Sequence, residues 1–262
     1  MRKSIIFSVI TLAILGGFFY SQRSQVRDVI FEYQKASLPE ATYINTRARE
    51  YLYKIDEGVV VPGVKDIDKD IAVEIPDEIN LAVPFTPQAP HANWDLPYKE
   101  TCEEASVLMV ARYKKGEVIT SPEDADAEIL KLVEFQNNYF GDYKDTTAEQ
   151  TAEIAREYYG FKNTEVVYDF TTEDIKKELA LGNPVIVPAA GRQLSNPYFR
   201  SPGPLYHMLV IRGYTQNKFI TNDPGTKRGE EYVYKYDDLL SAVHDWNGGG
   251  VDTGQKVMIV IR

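Results

Sequence analysis

The stretch His207-Met208-Leu209-Val210-Ile211-Arg212-Gly213-Tyr214, continued by Lys218-Phe219-Ile220-Thr221-Asn222-Asp223-Pro224-Gly225, decides the fold. Two runs rich in β-branched and aromatic residues flank a short polar link, and Asn, Asp, Pro and Gly close the second run. This reads as two antiparallel strands followed by a tight turn. Runs of the same kind occur at 184–188, 231–234 and 257–261. Upstream the period changes. Residues 101–115 carry Ala105, Leu108, Met109 and Tyr113 at helical steps and stop at Gly116. Residues 123–137 follow Ser121-Pro122, and residues 147–159 stop at Gly160. Residues 172–181 start with Thr171 and Asp174 at capping-box spacing and end at Gly182. Helices first and strands second specify an α+β domain, with N-terminal helices packed on a C-terminal antiparallel sheet.

A chain of 262 residues accommodates one large domain and a smaller extension. Its 44% apolar and 26% charged residues describe a globular protein. Asp and Glu number 39 against 29 Lys and Arg. Without a clustered basic face, nucleic acid is excluded as a partner. The 18 Tyr and 11 Phe fit ordinary packing as well as a broad recognition groove.

The first residues form a separate unit. Arg2 and Lys3 precede an uncharged run from Ser4 to Tyr20, with no small-x-small cleavage signal after it. This predicts an uncleaved signal anchor over residues 1–21, in contact with the membrane. The positive-inside tendency then puts the remaining chain outside, as a membrane-anchored or secreted protein. Residues 22–80 read as a polar extension or stalk, and residues 81–262 as the main domain. Asp66, Asp68 and Asp70 alternate in the extension. They lack the Gly and distal Glu of a calcium loop, so no metal or other cofactor is expected.

The chain has one cysteine, Cys102, at the expected start of the 101–115 helix. Free N–H groups and the positive end of the dipole favour a thiolate there. Glu103 and Glu104 oppose it, so a nearby base is required. Of three histidines, His207 opens a strand, and in the hairpin the end of the second strand returns beside it. Asp223 is then placed to hydrogen-bond the His207 imidazole, the orienting role of a third group beside a catalytic base. That arrangement predicts an imidazolium facing a thiolate of lowered pKa. His91, in a loop, and His244, after an expected helix, lack an acid partner of this kind. Gln88, in a Pro-flanked loop before Cys102, reads either as a surface residue or as an oxyanion donor acting with the Cys102 N–H.

Three separated pieces resemble family thirty-nine of the cysteine peptidases, in particular stand-alone exported bacterial relatives of the bacteriocin leader peptidases. They are Val83-Pro84-Phe85-Thr86-Pro87-Gln88-Ala89-Pro90 with Asn93-Trp94 and Cys102-Glu103-Glu104-Ala105-Ser106; Gly182-Asn183-Pro184-Val185-Ile186-Val187; and the hairpin with Asn222-Asp223-Pro224-Gly225. The resemblance covers residues 81–262 and implies a papain-like fold. It implies Cys102 as nucleophile, His207 as base, Asp223 as orienter and Gln88 as oxyanion donor. The relatives' leader-peptide substrate does not carry over; the substrate expected of such a site is a peptide or protein, cell-envelope ones included, and no sequence feature names it. Two other activities fit the same residues: cell-wall amide hydrolysis or acyl transfer on the same triad, and a surface binding module that keeps the fold without turnover.

Overall fold

The computed structural model describes residues 23–44 and 75–262. They fall in two units, divided between Leu38 and Pro39. In the first, residues 23–36 form a helix, α1. Its composition is mostly polar.

The second unit holds a seven-stranded antiparallel sheet. Its strands are β1 (Ile79–Asn80), β2 (Thr164–Tyr168), β3 (Val185–Ala190), β4 (Tyr206–Tyr214), β5 (Lys218–Asn222), β6 (Tyr232–Lys235) and β7 (Val257–Ile261). The order is β2-β7-β3-β4-β5-β6, with β1 added to β4. The helices are α2 (Cys102–Lys115), α3 (Pro122–Tyr139), α4 (Ala148–Glu153), α5 (Thr172–Ala180) and α6 (Tyr236–Ala242). Helix α2 packs on β4, α4 on β2 and β7, and α5 on β3 and β4.

Local chemistry sets these boundaries. The Ser121 hydroxyl accepts from Asp124 N–H with Pro122 in the first turn, and Thr147–Gln150 and Thr171–Asp174 form capping boxes. Gly116 ends α2 in the left-handed conformation, φ 69°. Helix α2 is buried from Cys102 to Ala111, its two first-turn glutamates included, and carries its basic residues in the last turn. Strands β3, β4 and β7 are buried at every position.

The α+β architecture expected from the sequence is present, with four differences. The helix expected over 147–159 ends at Glu153 and continues as a π-helical turn, Ile154–Tyr158. Strands β1 and β2 were not expected, because one has two residues and the other, Thr-Glu-Val-Val-Tyr, lies in a polar context. The boundary expected at residue 81 falls inside the sheet unit. Ile79 and Asn80 pair with Tyr214 and Gly213, while Thr42 bridges Leu81. Gly213 is required there, since a Cβ would lie 2.2 Å from the Ile79 carbonyl oxygen. The buried Arg212 guanidinium ties this corner together, donating to the Asn80 side chain, the Leu81 carbonyl and the Asn222 side chain.

The apolar run at 4–20 and the aspartates at 66, 68 and 70 lie outside the described residues. Among the described residues, no helix is long and apolar enough to cross a membrane and no cluster of metal-ligating side chains is present.

Candidate active site

Two elements converge on the site: the N-terminus of α2 and the start of β4. Before α2, a 3-10 turn at Tyr98–Glu100 leads to Thr101. The Thr101 hydroxyl turns back to donate to the Gln88 and Tyr98 carbonyls, at 3.1 and 3.2 Å, so it does not cap the helix. The Glu103 carboxyl faces Cys102 and the Thr146 N–H, and the Glu104 carboxyl faces Gln136. The Cys102 N–H has no acceptor among the described residues, so one orphan donor of the helix start stays free beside the sulfur.

Cys102 is 6% exposed. Its S–H donates to Glu103 Oε2 at 3.0 Å, and its helix packs on β4. Burial pushes the thiol pKa well up, and the Glu103 charge, its hydrogen bond and the Glu104 charge push it further; the Met208 N–H opposes them. These effects run against the expected low-pKa thiolate. Both glutamates are buried, Glu103 against the sulfur and Glu104 against Gln136, and no hydrogen bond joins the sulfur to the His207 ring among the described residues.

The second half of the site is a buried pair. His207 Nε2 lies 2.7 Å from Asp223 Oδ1. The hairpin produces this contact: Val210 pairs with Asn222 across a bulge between Ile211 and Gly213, so Asp223 emerges at the His207 end of β4. Asp223 Oδ1 also accepts the Gly225 N–H at 3.0 Å. Its Oδ2 accepts the Tyr234 hydroxyl at 2.6 Å and Asn196 Nδ2 at 3.1 Å. Burial works to raise the Asp223 pKa, but the His207 charge and these hydrogen bonds hold it below the ordinary carboxylate value. An ionised Asp223 fixes the hydrogen of a neutral imidazole on Nε2 and leaves the Nδ1 lone pair as the basic nitrogen. Phe199 meets the ring edge-on, with centroids 5.3 Å apart. Gly225 leaves room for it, since a Cβ there would lie 2.9 Å from His207 Cε1.

Gln88 is 4% exposed. Its Nε2 donates to the Tyr98 and Lys99 carbonyls at 2.9 and 3.0 Å. Two carbonyl neighbours require nitrogen at that position, and they use both amide hydrogens. The Gln88 N–H also donates to the Pro224 carbonyl. In this structure Gln88 ties the turn before Cys102 to the turn after Asp223. His91 is exposed in its loop. His244 Nδ1 lies 3.0 Å from the Gly254 carbonyl, with no acid partner among the described residues.

Sequence reasoning missed Asn196 and Tyr234. Tyr234 carries one local signal, an aromatic residue in a strand paired with β5. Asn196 lies in the long β3–β4 connection and carries none.

A cysteine at a helix start, packed on a sheet that bears a buried His–Asp pair, defines a fold of the cysteine-peptidase class. The chain belongs to the Peptidase_C39 like family, whose model matches residues 80–249. A crystal structure of a candidate C39-like peptidase from Bacillus anthracis is 16% identical. The likeness covers 71% of this chain and 98% of that one, with a TM-score of 0.46. No curated protein matches the chain.

Proposed function

We propose that the protein is a cysteine peptidase that cleaves peptide or amide bonds through Cys102, His207 and Asp223. The observation that carries this reading is the 2.7 Å contact between His207 and Asp223 on β4, the strand against which the helix that starts at Cys102 packs. In this reading the S–H bond breaks as the sulfur attacks the substrate carbonyl carbon, and the proton passes to His207 Nδ1. Asp223 holds the ring through Nε2 and stabilises the imidazolium. The developing oxyanion is received by the free Cys102 N–H. The imidazolium then protonates the leaving amine, and water hydrolyses the thioester by the reverse route. Membership of the Peptidase_C39 like family supports the reaction class. The N-terminal run behind Arg2 and Lys3 supports action outside the cytoplasmic membrane.

The binding-module alternative draws on one specific observation, the burial of the Cys102 thiol against Glu103. A cysteine-directed epoxide or acyl probe separates the two. We expect native protein to be labelled at Cys102 at neutral pH, and Cys102→Ala to lose labelling and turnover while unfolding within about 1 kcal/mol of wild type. Labelling only after denaturation would favour the binding module.

A further inference from the structure

Glu103 has no part in the proposed reaction, yet it is the side chain that the nucleophile touches. It is 1% exposed. Oε2 accepts the Cys102 S–H at 3.0 Å and Oε1 accepts the Thr146 N–H at 3.2 Å, so both oxygens are fixed in place. Among the described residues neither Glu103 nor Glu104 has a Lys or Arg partner. A buried carboxyl without a cation is costly, and here it lies against the one thiol of the chain.

We infer that Glu103 is a positioning residue that holds the Cys102 proton in the resting enzyme, so that the nucleophile waits as a neutral thiol. This rests on Cys102 being the nucleophile. Substrate displaces the balance: the S–H proton leaves Glu103 Oε2 for His207 Nδ1, the electron pair stays on sulfur, and the S–C bond forms as the carbonyl π pair moves to oxygen. Glu103 ends as it began, and the proton comes back when the thiol is regenerated.

Several groups face Glu103. Cys102 and Glu104 belong to its own helix, and the Thr146 N–H and Asp145 come from the segment before α4. Tyr206 approaches from β4. Asp245 stands behind Tyr206, whose hydroxyl it accepts at 3.4 Å. None of these groups is a cation, so nothing in the cluster draws the proton off the sulfur. Burial first, then Asp145, raises the Glu103 carboxyl to about 8, while the hydrogen bonds from Cys102, its own N–H and Thr146 oppose the rise.

The test is the rate of Cys102 alkylation by iodoacetamide against pH, in wild type and Glu103→Gln. The Thr146 N–H selects the amide oxygen, so the new NH2 faces the sulfur as a donor in place of an acceptor. We expect the profile to move to lower pH and the rate at pH 7 to rise at least about tenfold. An unchanged profile, or one moved to higher pH, overturns the inference. Should the variant fail to fold, the wild-type chain suffices. Its single thiol must show an S–H infrared band at pH 7, shifted by hydrogen bonding, and absence of that band overturns the inference. Neither readout requires turnover. A shifted profile in a protein without peptidase activity keeps the role of Glu103 and removes the peptidase reading.

Discussion

The neighbouring carboxyl, Glu104, makes a quantitative prediction about stability. It is fully buried, and Gln136 Nε2 donates to its Oε1 at 2.5 Å. Glu104 Oε2 and Gln136 Oε1 are both buried acceptors without a donor. One proton on Oε2 satisfies both, closing an acid–amide ring with two hydrogen bonds. Burial first, and then the Glu103 charge, drives the Glu104 carboxyl well above its ordinary value in the same direction. The sign follows from linkage: the fold keeps a proton that the unfolded chain releases near 4.5. Stability from this group is complete below that pH and falls as pH rises towards the folded-state value. The slope is about 1.4 kcal/mol per pH unit, or up to about 4 kcal/mol between pH 5 and pH 8. Glu104→Gln keeps the reciprocal ring with an amide and removes the titration. Urea unfolding of both proteins at pH 5, 6, 7 and 8 measures the difference. The variant should gain on the wild type steadily across that range. Parallel curves would show that Glu104 is ionised in the fold and would refute the acid–amide pair.

Gln88→Ala removes two donors from the turn before Cys102 and leaves the Tyr98 and Lys99 carbonyls unpaired. It should cost about 1–3 kcal/mol in chemical denaturation and lower kcat at the same time, whereas loss of kcat at full stability would restore the oxyanion role. Tyr234→Phe removes the 2.6 Å donor from Asp223 Oδ2. Since the Asp223 carboxyl is held low, its stabilisation is present above the unfolded value and lost as pH falls. The variant should therefore begin acid unfolding at a higher pH, and an unchanged acid midpoint by circular dichroism counts against the network. Residues 1–21 should hold the full-length chain at the membrane with residues 22–262 outside. Protease shaving of intact cells tests this, and complete protection of the chain tells against it.

The contact between His207 and Asp223 is legible in sequence because hairpin geometry is local. Fifteen residues separate the two in the chain, and the polar link plus the Asp-Pro-Gly turn bring them together. The capping residues at Thr171 and Asp174 are legible for the same reason. Contacts set by packing at long range are not. Asn196 reaches Asp223 from an irregular connection, and Gln88 meets the Tyr98 and Lys99 carbonyls through a loop whose path no periodicity specifies. The surroundings of Cys102 are hidden for a related reason. A helix N-terminus favours a thiolate, and the sequence shows Glu103 and Glu104 only as neighbours. Burial of the thiol with Glu103 against the sulfur pushes the other way, and burial is a tertiary property.

The short strand β1 bears on how this protein can be cut for study. Thr42 N–H donates to the Asn80 carbonyl, Ala82 N–H to the Thr42 carbonyl, and Leu81 N–H to the Arg212 carbonyl, all at 2.8 Å. Together, residues 39–44 and 79–82 tile the rim of β4 near Gly213 and Tyr214. A fragment beginning at Leu81 strips that tile. It bares unpaired N–H and C=O groups on a strand that is buried at every position. An open edge of this kind recruits strands from other copies, so such a fragment is prone to self-association and precipitation. A fragment beginning at Pro39 keeps that rim covered.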